Sequence, residues 1–202
     1  MTATPDSEQP CAQPCTIPLD PLEGASPRRR AANILAQRIL VPLAVALAVI
    51  VLVFYVLFDH SRVAGPSMLP TLQNGDFILL TKGLARPRRG DVIVLDTVEQ
   101  GRATELVKRI VALGGDRVHI AGDFVLVNGA PEVFPHTVYG DTGRAWPIAD
   151  LTVPRGMVYA LGDNRPVSYD SRYLGPFPVG HILGKVVAVY APFYRIGLVA
   201  GP

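Results

Sequence analysis

Hydrophobic positions along this chain fall into two regimes. From Ile39 to Phe58 runs an unbroken twenty-residue block without a single charge. After Arg62 the apolar residues come in short runs broken by Gly, Pro and Asp. Twenty helical residues at about 1.5 Å each cover a bilayer core of roughly 30 Å. Pro42 stands near the start of the block, where a helix tolerates it. A buried core helix is the alternative, disfavoured because no face of the block is polar. A cleaved secretory signal is a second alternative. The block is longer than a usual signal core, starts only at residue 39, and is followed by Asp59-His60-Ser61-Arg62 rather than a small-x-small motif. The pattern predicts one uncleaved transmembrane anchor over residues 34–59.

The second regime predicts strands. Phe77–Leu80, Asp91–Leu95, Leu106–Val111, Val118–Ile120, Phe124–Val127, Met157–Ala160 and Lys185–Tyr190 are short, apolar and rich in β-branched residues. Asn128-Gly129 after the fifth of these is a two-residue hairpin signal. No segment after Phe58 carries helical periodicity over ten residues. The expected fold is therefore mostly β, with antiparallel sheets coiled into a barrel-like catalytic domain over residues 60–202. Residues 131–154, with the chain's one tryptophan, Trp146, read as a small excursion from the sheet.

Charge sets the expected orientation. Arg28, Arg29, Arg30 and Arg38 precede the apolar block and Asp59 follows it. The positive-inside rule then puts the N-terminus in the cytoplasm of a single-pass cell-membrane protein and the β domain outside. Residues 1–33 are rich in Pro, Ser, Thr, Gln and Asp and are expected to be a disordered cytoplasmic tail. A net charge of +2 is too small to suggest nucleic acid. Both cysteines, Cys11 and Cys15, lie in the tail, at a spacing unlike a zinc site. His60, His119, His136 and His181 form no His-x-x-x-His pair, and there is no Gly-x-Ser-x-Gly elbow. No metal or cofactor is expected.

The candidate chemistry centres on Lys108. The chain has three lysines, and this one interrupts the apolar run Leu106-Val107-Lys108-Arg109-Ile110-Val111. On a strand it shares a face with Leu106 and Ile110. Aliphatic burial disfavours the charged amine, and a neutral amine can act as base to a hydroxyl. Arginine, always protonated, could not. Free lysine titrates near 10.4, and full burial can lower such a group by several units. The hydroxyl is offered by Ser67 in Gly65-Pro66-Ser67-Met68-Leu69-Pro70-Thr71, a tight proline-bounded turn. Taken singly, each residue has a plainer reading: a lysine whose stem covers the sheet, and a turn serine.

Together the motifs resemble those of type I signal peptidases, the Ser-Lys dyad serine proteases. Gly65–Leu72 resembles that family's nucleophile box, and Leu106–Val111 with Gly115-Asp116 its lysine box. Gly162-Asp163-Asn164-Arg165-Pro166-Val167-Ser168-Tyr169-Asp170-Ser171-Arg172 is similar to its third box, and Arg89-Gly90-Asp91-Val92 to a further structural one. The resemblance spans roughly Val63 to Val189, in the family's order. It implies Ser67 as nucleophile, Lys108 as general base and Ser168 as the serine that orients the lysine. It implies the Ser67 N–H as an oxyanion donor, and an Asp170–Arg172 ion pair holding the third box, structural and partly buried. It implies Val63, Met68, Leu72 and Val107 at the substrate pockets. Asp163 and Asn164 are expected to fix the loop through bonds to backbone, with an acid role for Asp163 left open.

The implied activity is removal of N-terminal signal peptides from exported preproteins, with membrane lipid as the other partner. Gly65 departs from members that carry a hydroxyl donor at that position, and Ala112 and Gly114 depart from the common lysine box. A pilin or conjugation-protein processing peptidase of the same family is the near alternative. A non-catalytic anchored β-domain binding envelope partners is the distant one. A Ser-Lys self-cleaving repressor would need a helix-turn-helix and no span.

Overall fold

The computed structural model describes residues 34, 36–83, 86–99, 101–140 and 149–199. The expected tail with Cys11 and Cys15, the Arg28–Arg30 run, and Trp146 lie outside the described residues. The chain divides into two units, Met1–Ile50 and Val51–Pro202, and every strand belongs to the second.

A π-helical turn, Ala36–Leu40, leads into the apolar block, which continues as an α-helix, Val41–Leu57. None of the helix residues is buried. Gln37–Leu57 is long and apolar enough to cross a membrane. The helix stops one residue before the block does, because Phe58 is already paired with Thr81 in the first strand. A run without polar residues does not reveal where helix gives way to strand.

Twelve strands follow among the described residues: β1 (Phe58–Arg62), β2 (Phe77–Lys82), β3 (Val92–Glu99), β4 (Arg102–Leu113), β5 (Arg117–Ala121), β6 (Phe124–Val127), β7 (Ala130–Pro131), β8 (Ala149–Thr152), β9 (Met157–Leu161), β10 (Phe177–Pro178), β11 (Ile182–Ala191) and β12 (Gly197–Leu198). One sheet runs β1-β2-β11-β3-β4-β9-β10, with β12 added to β11. A second runs β7-β6-β5-β8. Their strand pairings are antiparallel.

The expected barrel is not present. The larger sheet ends at β1 and β10 and does not close. Closure needs edge strands long enough to carry a ladder, whereas β10 has two residues and the second, Pro178, has no N–H to give. The architecture is mostly β, in two open antiparallel sheets preceded by one apolar helix.

Strand β3 explains the core. Val92 and Val94 belong to one buried cluster, with Val63, Met68, Leu72, Ile78, Leu80, Val186 and Val189. Ile93 and Leu95 belong to another, with Ile110, Val158, Ala160, Phe177 and Ile182. Alternate side chains of one strand thus enter opposite cores, which is why its sequence is a continuous apolar run. Each such side chain contributes about 1.5–3 kcal/mol by leaving water. A third cluster, built from Val111, Val118, Ile120, Val125, Val127 and Tyr159, joins the smaller sheet to β4 and β9.

Strand β4 positions the site. Along Arg102–Arg109 it pairs with β3, but β9 joins its other edge only from Arg109, opposite Leu161. Lys108 is therefore the last residue of β4 before that second neighbour begins.

Candidate active site

The turn carrying Ser67 leaves β1 and returns to β2. Its neck is closed by Val63 N–H to Asp76 O at 2.9 Å and Gly75 N–H to Val63 O at 2.9 Å. Within it, Leu72 N–H donates to Met68 O at 2.9 Å, and Gly65 N–H to Asn74 Oδ1 at 3.1 Å. Gly65 has φ 92°. L side chains avoid that left-handed region, so the turn geometry itself accounts for the missing hydroxyl at this position.

Lys108 Nζ lies 2.9 Å from Ser67 Oγ and donates to its neighbour's carbonyl, Val107 O, at 3.0 Å. Lys108 is 2 % exposed, whereas Ser67 is half-buried. The amine is enclosed while the hydroxyl keeps an open approach. That is an arrangement able to transfer a proton between the two atoms without bulk water between them.

The third box is bound to this turn through backbone. Asn164 N–H donates to Ser67 O at 3.0 Å, and Asn164 Nδ2 to Pro66 O at 3.1 Å. Gly162 leaves no room for a side chain. A Cβ there would overlap Ser168 Oγ and lie 2.5 Å from Ser67 O. Ser168 is fully buried, and its hydroxyl has no hydrogen-bond partner among the described residues. It packs against Gly162, beside the Ser67 backbone, and makes no bond to the Lys108 amine.

Asp163 behaves differently from the expected backbone tie. Its carboxylate receives two parallel bonds from Arg109, Nε to Oδ1 and Nη2 to Oδ2, each 2.8 Å, and a third from the Thr71 hydroxyl. Arg109 also donates to Gly90 O at 2.8 Å, and its guanidinium lies 5.3 Å from the centre of the Phe134 ring. The strand of Lys108, the Ser67 turn and the 162–172 segment thus meet at one buried ion pair. Asp170 receives Arg172 Nε and Nη2, each at 2.9 Å, and Gly162 N–H at 3.1 Å. Both side chains of the Asp170–Arg172 pair are fully buried, deeper than expected.

Two further groups belong here that no motif in the sequence marks. Arg165 is 1 % exposed and donates to Glu132 Oε2 at 2.6 Å and Gly162 O at 3.0 Å. Asp123 receives Arg172 Nη1 at 3.2 Å. The available signal was the density of arginine and acid in a short loop, which also describes a solvated turn. Tyr159, packed among these charges, has its phenol pushed up by burial and by the nearby Asp170 carboxylate.

Of the expected pocket residues, Val63, Met68 and Leu72 are buried in the first core cluster, while Val107 packs partly against it. Among the described residues, no group of three or more His, Cys, Asp and Glu is arranged to hold a metal ion.

The model of the family described as "Signal peptidase, peptidase S26" matches residues 36–191. A signal peptidase I from Bacillus caldolyticus is 33% identical over 166 residues, 75% of this chain and 90% of the relative. Mitochondrial inner membrane protease subunit 1 from Mus musculus is 33% identical over 138 residues, 66% of this chain and 70% of the relative. A crystal structure of a signal peptidase I from Enterococcus faecalis V583 is 27% identical, with a TM-score of 0.41, covering 51% of this chain and 98% of that one.

Proposed function

This chain belongs to the signal peptidase family, peptidase S26, and is a serine endopeptidase of the signal peptidase I type; from that premise we propose that it is membrane-anchored and removes signal peptides from exported preproteins with a Ser67–Lys108 dyad. The observation that carries the dyad is the 2.9 Å approach of Lys108 Nζ to Ser67 Oγ, with the amine enclosed.

In this mechanism the neutral Lys108 amine removes the hydroxyl proton as Ser67 Oγ attacks the scissile carbonyl carbon. The Ser67 N–H stabilises the oxyanion. The tetrahedral species collapses as Lys108 returns the proton to the leaving amine, the new N-terminus of the mature protein. The signal peptide remains as an ester on Ser67. Lys108 then deprotonates a water, which attacks the ester, and the second tetrahedral species collapses as Lys108 returns that proton to Ser67 Oγ, releasing the signal peptide as a carboxylic acid. Ser168, which makes no bond to the amine, walls the Ser67 backbone in this scheme, and the Asp170–Arg172 pair holds its loop.

Substrate placement follows from the same strands. The edge of β4 before Arg109 has no strand on the side that β9 later occupies, among the described residues. An extended preprotein segment can add there as a further strand, with Val107 beside it and Lys108 at its end. Ser67 lies nine residues past Phe58, which spans at most about 30 Å. A signal peptide presents its cleavage site just beyond a membrane-inserted apolar segment, so anchor and substrate share one surface, on the extracytoplasmic side of a cell membrane.

The test is cleavage of a preprotein panel by detergent-purified protein, with new N-termini identified by mass spectrometry. Ser67→Ala and Lys108→Ala should each remove cleavage while leaving the circular dichroism spectrum unchanged. Retained cleavage by either variant refutes the dyad.

A further inference from the structure

We propose that Arg195, in the C-terminal segment, is a positioning residue for the Ser67 turn. The inference rests on the proposed catalytic reading of Ser67. It concerns a residue outside the family match at residues 36–191, and it starts from three bonds.

Arg195 Nε donates to Asp76 Oδ1 at 3.2 Å, and Nη2 to Asp76 Oδ2 at 3.0 Å and to Thr71 O at 3.3 Å. Asp76 is 2 % exposed. Its carboxylate also receives Gln73 N–H at 2.8 Å, and its carbonyl receives Val63 N–H. It therefore forms the neck of the loop that holds Ser67, and Arg195 neutralises and braces that neck from outside. A forked guanidinium on a desolvated carboxylate fixes angle as well as distance.

Thr71 is gripped from two sides. Its carbonyl is bonded by Arg195, while its hydroxyl donates to Asp163, which is bound in turn by Arg109, the residue after Lys108. The nucleophile turn is thus referenced to the base strand through one face and to the C-terminal segment through the other. That segment is itself fastened: Arg195 N–H donates to Pro192 O at 2.9 Å, β12 pairs with β11, and Val199 N–H donates to Val187 O at 3.0 Å. Phe193 and Tyr194 beside it are largely exposed, and Val199 packs partly against the first core cluster, so the segment is seated on β11 from beyond Arg195. Its ion pair is the directional contact.

A brace of this kind acts on the chemical step. Displacing a reacting atom by about 1 Å can cost as much as a hundredfold in rate, while substrate laid along β4 is untouched. Arg195→Gln in the full-length, detergent-solubilised protein should lower kcat between about tenfold and a hundredfold and leave KM for a preprotein within about twofold. The loss should persist well below the thermal midpoint of the variant. Arg195→Lys, which keeps the charge but not the fork, should fall between wild type and Arg195→Gln, and decides the matter if Arg195→Gln does not fold. A kcat within twofold of wild type in the folded variant, a loss that vanishes on cooling, or a change confined to KM overturns the inference. Wild-type protein that cleaves no preprotein would instead refute the functional reading, and Ser67→Ala run alongside separates the two failures.

Discussion

Arg109 and Asp163 face each other through two parallel 2.8 Å bonds, with side chains 4 % and 2 % exposed. One is the sequence neighbour of Lys108. The other receives the hydroxyl of Thr71, four residues after Ser67. This pair therefore ties the strand of Lys108 to the turn of Ser67 behind the two proposed catalytic atoms.

Removing one partner of a buried ion pair leaves an uncompensated charge and costs about 3–5 kcal/mol. Asp163→Ala and Arg109→Ala should each lower the unfolding free energy extracted from urea denaturation by that order, and the double variant should lose less than the sum of the two. Denaturation of the three proteins, each paired with a cleavage assay, checks this. Additive losses would show that the pair is not coupled.

Ser168 makes the opposite prediction. A buried hydroxyl without a partner is a cost, typically 1–3 kcal/mol in order of magnitude. Packing alone would favour alanine there. Ser168→Ala should leave the thermal midpoint unchanged or raised while lowering kcat, the signature of a residue kept for chemistry. A variant as active as wild type would remove Ser168 from the mechanism. Gly162→Ala tests the same wall sterically. Its added Cβ overlaps Ser168 Oγ and presses on Ser67 O, so activity should fall, and Ser168→Ala should not restore it, because Ser67 O and the residue 168 Cβ both remain in the way.

Legibility in the sequence follows physical locality. The strands were readable wherever alternation or a β-branched run was local, as at Phe124–Val127 before Asn128-Gly129. Ser67 and Lys108 stood out because a hydroxyl in a proline-bounded turn and an amine in an apolar run are each marked by their neighbours. Sheet closure was not local: it depends on whether β1 and β10 are long enough to meet. The buried arginines were hidden for another reason. Arg165 lies among residues that read as well on a surface, while Arg109 sits in an apolar run with no acid beside it, and only the folded positions of Glu132 and Asp163 make their burial affordable. Arg195 is more remote still, since its partner Asp76 is 119 positions away in the chain.

Asp116 gives the fold a defined acid limb. Burial raises its carboxyl, but this is outweighed by bonds from Arg89, the Leu113 N–H and Asn128, and by the Arg89 charge, so it titrates below the usual 3.8. A group depressed in the folded state contributes stability that is present above its unfolded value and lost as pH falls through its folded value. The contribution is therefore complete at neutral pH and disappears below 3.8. Urea midpoints of wild type and Asp116→Asn should differ most at neutral pH and converge in acid. A constant difference across that range would show that Asp116 acts only through hydrogen bonds. Because the carboxylate ties the turn after β4 to Arg89, cleavage at neutral pH should change less than stability does.

The proposed orientation can be read from the two cysteines. Cys11 and Cys15 precede the apolar helix, and no other cysteine occurs in the chain. Arginine before the span and Asp59 after it favour retention of the N-terminus inside. A membrane-impermeant maleimide applied to intact cells should leave the protein unlabelled, and the same reagent after lysis should label it. External protease should remove the β domain from intact spheroplasts and leave an N-terminal fragment carrying both thiols. Labelling before lysis would invert the topology, placing the Ser67–Lys108 site on the side where signal peptides have not yet crossed, and the signal-peptide reading would fall with it.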